Sequence, residues 1–253
     1  MNDTMNRCYD IHCHIMPGVD DGSPDEETSL AMMQCAAKEG ITDIILTPHQ
    51  KPGIRCVSPE GTIRRTKRMQ ELAKENDLPL TFYSGCELFY RREVEKLIDA
   101  GDILTMCGTD YMLTEFYPDE EYRYIREAFD SLLGIGLIPI LAHLERFPAV
   151  FESRDHLDEL TSMGVFFQVN TGSVTGAYGW NTKRLCRRLL KEKRISLLGT
   201  DAHRAQGSRA PMMAECVRWI EKKVGPDYAG LLTLENPQRL VRGERMLMPG
   251  QEL

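Results

Sequence analysis

The stretch Asp10-Ile11-His12-Cys13-His14-Ile15-Met16-Pro17-Gly18-Val19-Asp20-Asp21-Gly22 decides how the rest of the chain is read. Two histidines stand two residues apart, just after a short apolar run. On an extended strand, residues i and i+2 point to the same side. His12 and His14 are therefore expected to project together, with Ile11, Cys13 and Ile15 facing the other way. A Pro-Gly turn follows, then two adjacent aspartates and a glycine. Two imidazoles and a carboxylate returned to one strand end are the start of a metal site. Later parts of the chain must then supply the remaining ligands.

Working outward, seven short apolar runs recur: Cys8–His12, Asp43–Thr47, Leu80–Ser84, Tyr111–Glu115, Ile138–Ala142, Val165–Val169 and Ile195–Gly199. Each is rich in Ile, Leu, Val, Phe or Tyr and ends in polar residues, as parallel strands buried on both faces do. The spacers read as helices. Ser23-Pro24-Asp25-Glu26 and Ser58-Pro59-Glu60 each open one with a capping serine, a proline at the first position and acidic residues in the first turn. The first runs to Lys38 and the second to about Asn76. Further helices are predicted over Arg91–Ala100, Glu120–Gly134, Arg154–Met163, Thr182–Lys193, Arg209–Lys223 and Tyr228–Arg242. Gln50–Val57 and the Gly-rich Thr171–Gly179 read as loops after strand ends. The pattern predicts an α/β protein, one domain over residues 1–253, built as a seven-stranded barrel related to the TIM barrel. In that architecture the chemistry gathers at the C-terminal ends of the strands.

The polar residues at those ends are concentrated. Strand one ends in His12 and His14, strand two in Thr47-Pro48-His49, and strand three in Gly85-Cys86-Glu87. Strand four ends in Glu115, strand five in His143-Leu144-Glu145-Arg146, strand six in Gln168-Val169-Asn170, and strand seven in Asp201-Ala202-His203. Five of the six histidines fall at these ends, and only His156 does not. A single histidine at a strand end is ordinarily a hydrogen-bonding structural residue. So many imidazoles and carboxylates at successive strand ends are costly to bury unless something compensates them, and divalent cations do so. Asp21, Glu87, Glu115 and Asp201 with five imidazoles exceed what one tetrahedral zinc uses, and suit two or three ions with bridging carboxylates. Mixed nitrogen and oxygen donors without thiolate point to Mn, Fe or Zn.

The bulk properties narrow the function classes. The chain has 253 residues, 42% hydrophobic and 27% charged, with a net charge of −7. This acidic balance argues against general nucleic-acid binding, but bound cations would reverse the local field for an anionic substrate. Met1–Cys8 is polar, without the apolar core of a signal peptide, and no run approaches the ~18 apolar residues of a membrane span. None of the eight cysteines forms a C-x-x-C pair. A cytoplasmic protein with reduced thiols and no membrane insertion is expected.

The set D-x-H-x-H, T-P-H, a lone Glu after strand three, Glu at strand four, A-H-x-E-R and D-A-H resembles the PHP (polymerase and histidinol phosphatase) superfamily of metal-dependent phosphoesterases. The longer strings Asp10–Gly22, Leu46–His49, Gly85–Glu87, Ala142–Arg146 and Thr200–His203 resemble its bacterial manganese-dependent protein-tyrosine phosphatases of capsule and exopolysaccharide operons, the Cps/Cap type. The resemblance runs from about residue 8 to the Glu235–Leu240 segment. It implies a distorted seven-stranded β/α barrel and a three-ion manganese centre, with Fe or Zn as alternatives. The ligands it implies are His12, His14, Asp21, His49, Glu87, Glu115, His143, Asp201 and His203, with Glu87 bridging. Asp21 rather than Asp20 is assigned through this match. The match also implies phosphate-binding arginines: Arg146, and a second for which Arg209 fits better than the nearer Arg204. The implied reaction is attack of a metal-activated hydroxide on phosphotyrosine. The implied partner is a tyrosine-phosphorylated protein, a membrane-associated kinase of polysaccharide synthesis. Cys13, Leu144 and Gln50 depart from residues common in the family, and none of these changes removes a ligand.

Two competing readings stand beside this one: a small-molecule phosphatase of the histidinol-phosphatase type, and a regulatory module that kept the barrel but lost catalysis. One decoy is set aside. Cys86-Glu-Leu-Phe-Tyr-Arg-Arg92 matches the C-x5-R pattern of cysteine-dependent phosphatases, but its interior is bulky, lacks glycine and sets Glu87 beside the thiol. Asp10 and Asp20 are expected to support ligands by hydrogen bonding. Tyr122 and Tyr124 read as an amphipathic helix face.

Overall fold

The computed structural model describes residues 7–52 and 56–248. Part of the loop expected over Gln50–Val57 lies outside the described residues. The strands are β1 (Tyr9–Cys13), β2 (Asp43–Leu46), β3 (His49–Gln50), β4 (Thr81–Ser84), β5 (Glu87–Phe89), β6 (Tyr111–Glu115), β7 (Ile138–Leu141), β8 (Phe166–Asn170) and β9 (Leu197–Gly199). All pair in parallel. They form one sheet in the order β1-β2-β4 and another in the order β3-β5-β6-β7-β8-β9.

Nine strands arise from seven runs because two of them break and change partners. Pro48 has no N–H to give a ladder, and it separates β2 from β3 while its carbonyl accepts from Glu87 N at 3.1 Å. Gly85 separates β4 from β5; a β-carbon there would lie 2.9 Å from the Met106 sulfur. The ring closes where β1 meets the chain leaving β9. Cys13 bridges Ala202, Asp201 N donates to His12 O at 2.8 Å, and His14 N donates to Ala202 O at 2.9 Å. The result is the expected α/β barrel, a curled parallel sheet with seven strand positions.

The helices are α1 (Glu26–Lys38), α2 (Pro59–Glu75), α3 (Val94–Asp99), α4 (Tyr122–Gly134), α5 (Pro148–Phe151), α6 (Arg154–Met163), α7 (Thr171–Thr175), α8 (Trp180–Lys191), α9 (Ala214–Lys223), α10 (Pro226–Gly230) and α11 (Asn236–Arg242). A π-helical turn over Leu231–Glu235 joins the last two. Several boundaries differ from the sequence reading. α1 is capped by Asp25, whose side chain accepts from Thr28 N at 2.8 Å, not by Ser23. The Ser23 hydroxyl instead donates to the Asp25 carbonyl. Ser58 does cap α2, with Pro59 at its first position. Thr171–Gly179 is not wholly a loop, because α7 occupies its first half. Arg209 precedes α9 in a short 3-10 turn, so the predicted helix starts five residues later, at Ala214.

Two apolar clusters hold the layers together. The larger packs strand residues such as Ile44, Leu46, Met112, Phe167 and Leu198 against Met33, Met69, Phe129, Leu160, Leu189 and Ile220 of the helices. The smaller gathers Tyr9, Ile11, Ile45, Tyr111, Leu113, Ile140, Phe166 and Leu197 on the opposite face of the strands, which is the inside of the ring. Ile11 therefore does not share a side with Cys13 and Ile15, which lie in the larger cluster. The cause is a register shift: Asp10 pairs with Ile44 but Cys13 with Leu46, so three steps on β1 oppose two on β2. Such a bulge re-aims side chains beyond it. Here Ile11 fills the inside of the ring and His12, the next residue, still faces the site.

Candidate metal centre

His12 and His14 leave the end of β1, His49 sits on β3, Glu87 opens β5 and Glu115 ends β6. His143 follows β7; Asp201 and His203 follow β9. His143 and Asp201 adopt left-handed backbone, with φ of 32° and 51°. Non-glycine residues rarely accept this conformation, and it clusters at functional sites. At both positions it turns the side chain over the mouth of the ring instead of continuing the strand. Asp21 arrives from the loop after β1. That loop is tight enough that a β-carbon at Gly22 would lie 2.1 Å from the His14 carbonyl oxygen. Only glycine tolerates such an approach.

The nine side chains named from sequence come together. Glu87 is at the centre. Its Oε1 lies 2.9 Å from His143 Nε2 and 3.3 Å from His12 Nε2; its Oε2 lies 2.9 Å from His49 Nδ1 and 3.2 Å from His14 Nε2. Glu115 Oε1 lies 3.2 Å from His49 Nδ1. Asp201 Oδ1 lies 3.5 Å from both His14 Nε2 and His203 Nδ1. Asp21 Oδ1 reaches His49 Nε2 at 3.3 Å and His203 Nε2 at 3.5 Å. Glu87, the site imidazoles other than His49, and Asp201 are almost completely buried, whereas the Asp21 side chain is 61% exposed.

Neighbouring groups fix which nitrogens face inward. His14 Nδ1 donates to Asp20 Oδ2 at 2.8 Å, and His12 Nδ1 to Gln168 Oε1 at 3.3 Å. With each Nδ1 carrying the proton, the Nε2 lone pairs of both rings point into the site. Those two Nε2 atoms are 3.1 Å apart, an arrangement that calls for a cation between them. His49 Nδ1, Glu87 Oε2 and Glu115 Oε1 are buried without hydrogen-bond geometry to any partner. Buried polar atoms are otherwise almost always satisfied. Three overlapping donor groups result, namely His12/His14/Glu87, His14/His49/His203 and His49/Glu87/Glu115, each with ligand atoms within 4.8 Å of one another. Donors about 3 Å apart match neighbouring ligands around an ion held by ~2.1 Å bonds. The donor set fits divalent metal.

Glu87, Asp201 and Asp20 are held ionised in this setting. Burial pushes Glu87 up, but the surrounding imidazoles, His12 foremost, outweigh it and hold the group well below the usual carboxylate range. Asp201 is lowered in the same way against its burial, by His12 and Arg146. Asp20, lowered to about 2 by His14 and by backbone donors, keeps its acceptor role.

Two arginines flank this cluster. Arg146 donates to Asp201 Oδ2 and leaves about a third of its side chain (37%) open to solvent. Arg209 Nη2 lies 2.7 Å from both ring nitrogens of His203 and 3.6 Å from Asp201 Oδ1, while its Nη1 lies 3.8 Å from Asp21 Oδ2. Arg204 instead donates to the carbonyls of Asp21, Gly22 and His203, so it holds the loop. Asp10 supports β1 from behind by accepting from Thr200 N and from His12 N.

Gln168 and Asn170 are the functional residues that the sequence reading left without a role. Gln168 Oε1 accepts from His143 N at 2.7 Å as well as from His12, and Asn170 Nδ2 donates to Asp201 Oδ2 at 2.9 Å. The signal was present: two amides at i and i+2 on a buried strand repeat the spacing of His12 and His14. His156 lies away from the site, stacked on Tyr122 at 3.5 Å. In the C-x5-R decoy, the Cys86 thiol donates to Leu104 O at 2.9 Å, and Arg92 pairs with Glu127 on the surface. Burial pushes that thiol far up, away from the thiolate that a nucleophile needs.

A family model described as capsular polysaccharide synthesis, CpsB/CapC, matches residues 8–242. Tyrosine-protein phosphatase YwqE of Bacillus subtilis is 32% identical over 235 residues, 93% of this chain and 92% of the relative. Tyrosine-protein phosphatase CpsB of Streptococcus pneumoniae is 29% identical over 237 residues, 92% of this chain and 97% of the relative. A solved structure from a study of YwqE and S. pneumoniae CpsB, described there as unique metal-dependent tyrosine phosphatases, superposes with a TM-score of 0.87 at 30% identity. It covers 96% of this chain and 100% of that one.

Proposed function

The chain belongs to the CpsB/CapC family of capsular polysaccharide synthesis, and from that premise we propose a single-domain, metal-dependent protein-tyrosine phosphatase. Its substrate is the phosphorylated tail of a membrane-associated tyrosine kinase of polysaccharide synthesis, met in the cytoplasm. The observation that carries the reading is the position of Glu87, within 3.3 Å of four imidazoles and with one buried oxygen lacking a hydrogen bond. A bridging carboxylate needs that surrounding. The three overlapping donor groups hold His12, His14, His49, Glu87, Glu115 and His203, and we assign these to three ions together with Asp21, His143 and Asp201, each within 3.5 Å of one of them. Nitrogen and oxygen donors without thiolate suit Mn, Fe or Zn, and the family resemblance favours manganese among them.

When bound, such ions neutralise phosphoryl oxygens and bring the pKa of a water toward neutrality. The chain's own residues do the rest. Asp20 and Gln168 hold His14 and His12 in the tautomer that presents Nε2. Arg146 and Arg209 approach Asp201 from two directions and turn part of each planar fork to the open mouth, where it can grip phosphate oxygens in pairs. The leaving tyrosinate, with a free pKa of about 10, needs little help from an acid.

The test is a substrate panel run on chelator-treated protein with and without added Mn²⁺. Hydrolysis of a phosphotyrosyl peptide is expected only with metal, and in preference to histidinol phosphate. Turnover by metal-free protein would sink the mechanism, and a preference for histidinol phosphate would replace the substrate class.

A further inference from the structure

The solvent face of α8 carries an unusual concentration of charge for a protein with a net charge of −7. Cys186, Leu189 and Leu190 turn its apolar side to the core. Lys183, Arg184, Arg187, Arg188 and Lys191 line one open groove on the other side, with Trp180 at its start and Glu192 at its end. Trp180 is 68% exposed, the most exposed large hydrophobic side chain among the described residues. The Arg184 guanidinium lies 5.5 Å over its ring. Surface arginines elsewhere find carboxylates: Arg68 pairs with Glu26 and Glu75, Arg126 with Glu159, and Arg194 with Asp158. Among the described residues, no carboxylate, Glu192 included, lies within ion-pair distance of the five α8 cations; Arg187 alone is turned aside, donating to Val174 O at 3.0 Å and stacking over Trp219.

The N-terminal end of this face adjoins the candidate centre. Trp180 is two residues beyond Tyr178, a 38% exposed ring that lies against Gly172, just after β8. α8 also packs against the turn Leu144–Arg146 that carries one of the two site arginines. Its 12 residues span about 18 Å, a length that ~6 residues of extended peptide would cover.

We propose that the cationic face of α8 is a docking track for an acidic, extended peptide segment contiguous with the phosphotyrosine, so that the enzyme selects phosphotyrosines flanked by carboxylates or further phosphates. Charge complementarity and the nearness of its N-terminal end to the candidate centre commit the face to that occupant, with Trp180 offering a flat, exposed ring at that end. This rests on the phosphatase reading for the identity of the phosphorylated residue, but not for the binding of the acidic segment.

The experiment compares the full-length, metal-loaded protein with its R184E/R188E/K191E variant, using three exposed positions that contact no site residue. Binding is read by fluorescence anisotropy of a labelled, unphosphorylated hexaglutamate peptide. Turnover is read on phosphotyrosyl peptides with acidic or basic flanks and on p-nitrophenyl phosphate. The variant should lose hexaglutamate binding about tenfold or more. Its KM for the acidic-flanked peptide should rise by a similar factor at unchanged kcat. It should accept the basic-flanked peptide better than the native protein does, and p-nitrophenyl phosphate kinetics should stay within about twofold. Equal hexaglutamate binding by the two proteins, or an equal loss on all three substrates, overturns the proposal. So does a variant that loses only its adhesion to phosphatidylserine vesicles, which would assign the face to a lipid surface. Intact hexaglutamate binding by a protein that hydrolyses no aryl phosphate would support the track and refute the phosphatase reading separately.

Discussion

Glu87 and Cys86 are neighbours with opposite fates, and the contrast comes from adjacent residues turning opposite ways where β5 begins. The Glu87 carboxylate meets four imidazoles, while the Cys86 thiol turns into the core and donates to a backbone carbonyl. Glu87→Gln keeps the shape but removes the charge that balances those rings. Turnover should fall by at least ~100-fold and metal content should drop, as elemental analysis of the purified protein would record. Cys86→Ser should stay within a few-fold of native turnover. If the serine variant were inactive with its metal retained, the chemistry would belong to the thiol. Arg146→Lys keeps the charge but loses the planar fork. Charge-assisted hydrogen bonds are worth ~1.5–3 kcal/mol each, so losing one should cost about 10- to 100-fold in kcat/KM on a phosphotyrosyl peptide. A lysine variant with native kcat/KM would show that a point charge suffices there.

At the scale of elements, each strand end is aimed by a local device, and some of those devices are visible in sequence. Period-two alternation at His12/His14 and the apolar run before each polar end were legible, and they are enough to place five histidines at one end of one barrel. The bulge in β1 was not legible, because one extra residue leaves no compositional trace. The left-handed turns at His143 and Asp201 were equally hidden, since neither residue is a glycine and the conformation is imposed by what surrounds it. The breaks at Pro48 and Gly85 were written in the sequence as punctuation. Reading each run as one continuous strand missed that the residue after the break pairs with a different sheet. Gly199 shows how closely these elements fit. A β-carbon there would lie 2.5 Å from His12 Cβ and 3.0 Å from the Gln168 amide nitrogen. Gly199→Ala must therefore push β1 and β9 apart at the ring closure. Overpacking of this kind costs about 1–3 kcal/mol. Denaturant unfolding should show that loss together with weakened metal binding. A variant of native stability and native metal content would mean the two strands are free to separate, contrary to the hydrogen bonds that join them.

Across the whole molecule, the barrel concentrates four carboxylates and five imidazoles at one mouth, and the cost of doing so sets a thermodynamic expectation. Each buried donor that lacks a hydrogen bond destabilises the folded chain until a cation meets it. The unfolded chain scatters the same groups over nearly two hundred residues and has no comparable affinity. Metal must then bind the folded state in strong preference and stabilise it by linkage. At an ion concentration about 100 times Kd, one site contributes ~2.7 kcal/mol. For a domain of this size each kcal/mol moves Tm by ~2–4 °C, so a single occupied site should raise it by about 5–10 °C, and more where several sites fill. Calorimetry of chelator-treated protein, titrated with Mn²⁺, measures this directly. The Glu87→Gln variant should show a much smaller rise, because it removes a donor from two of the three groups. A native protein whose Tm ignores Mn²⁺ would leave the convergence of these side chains without its compensation, and the metal assignment would fall with it.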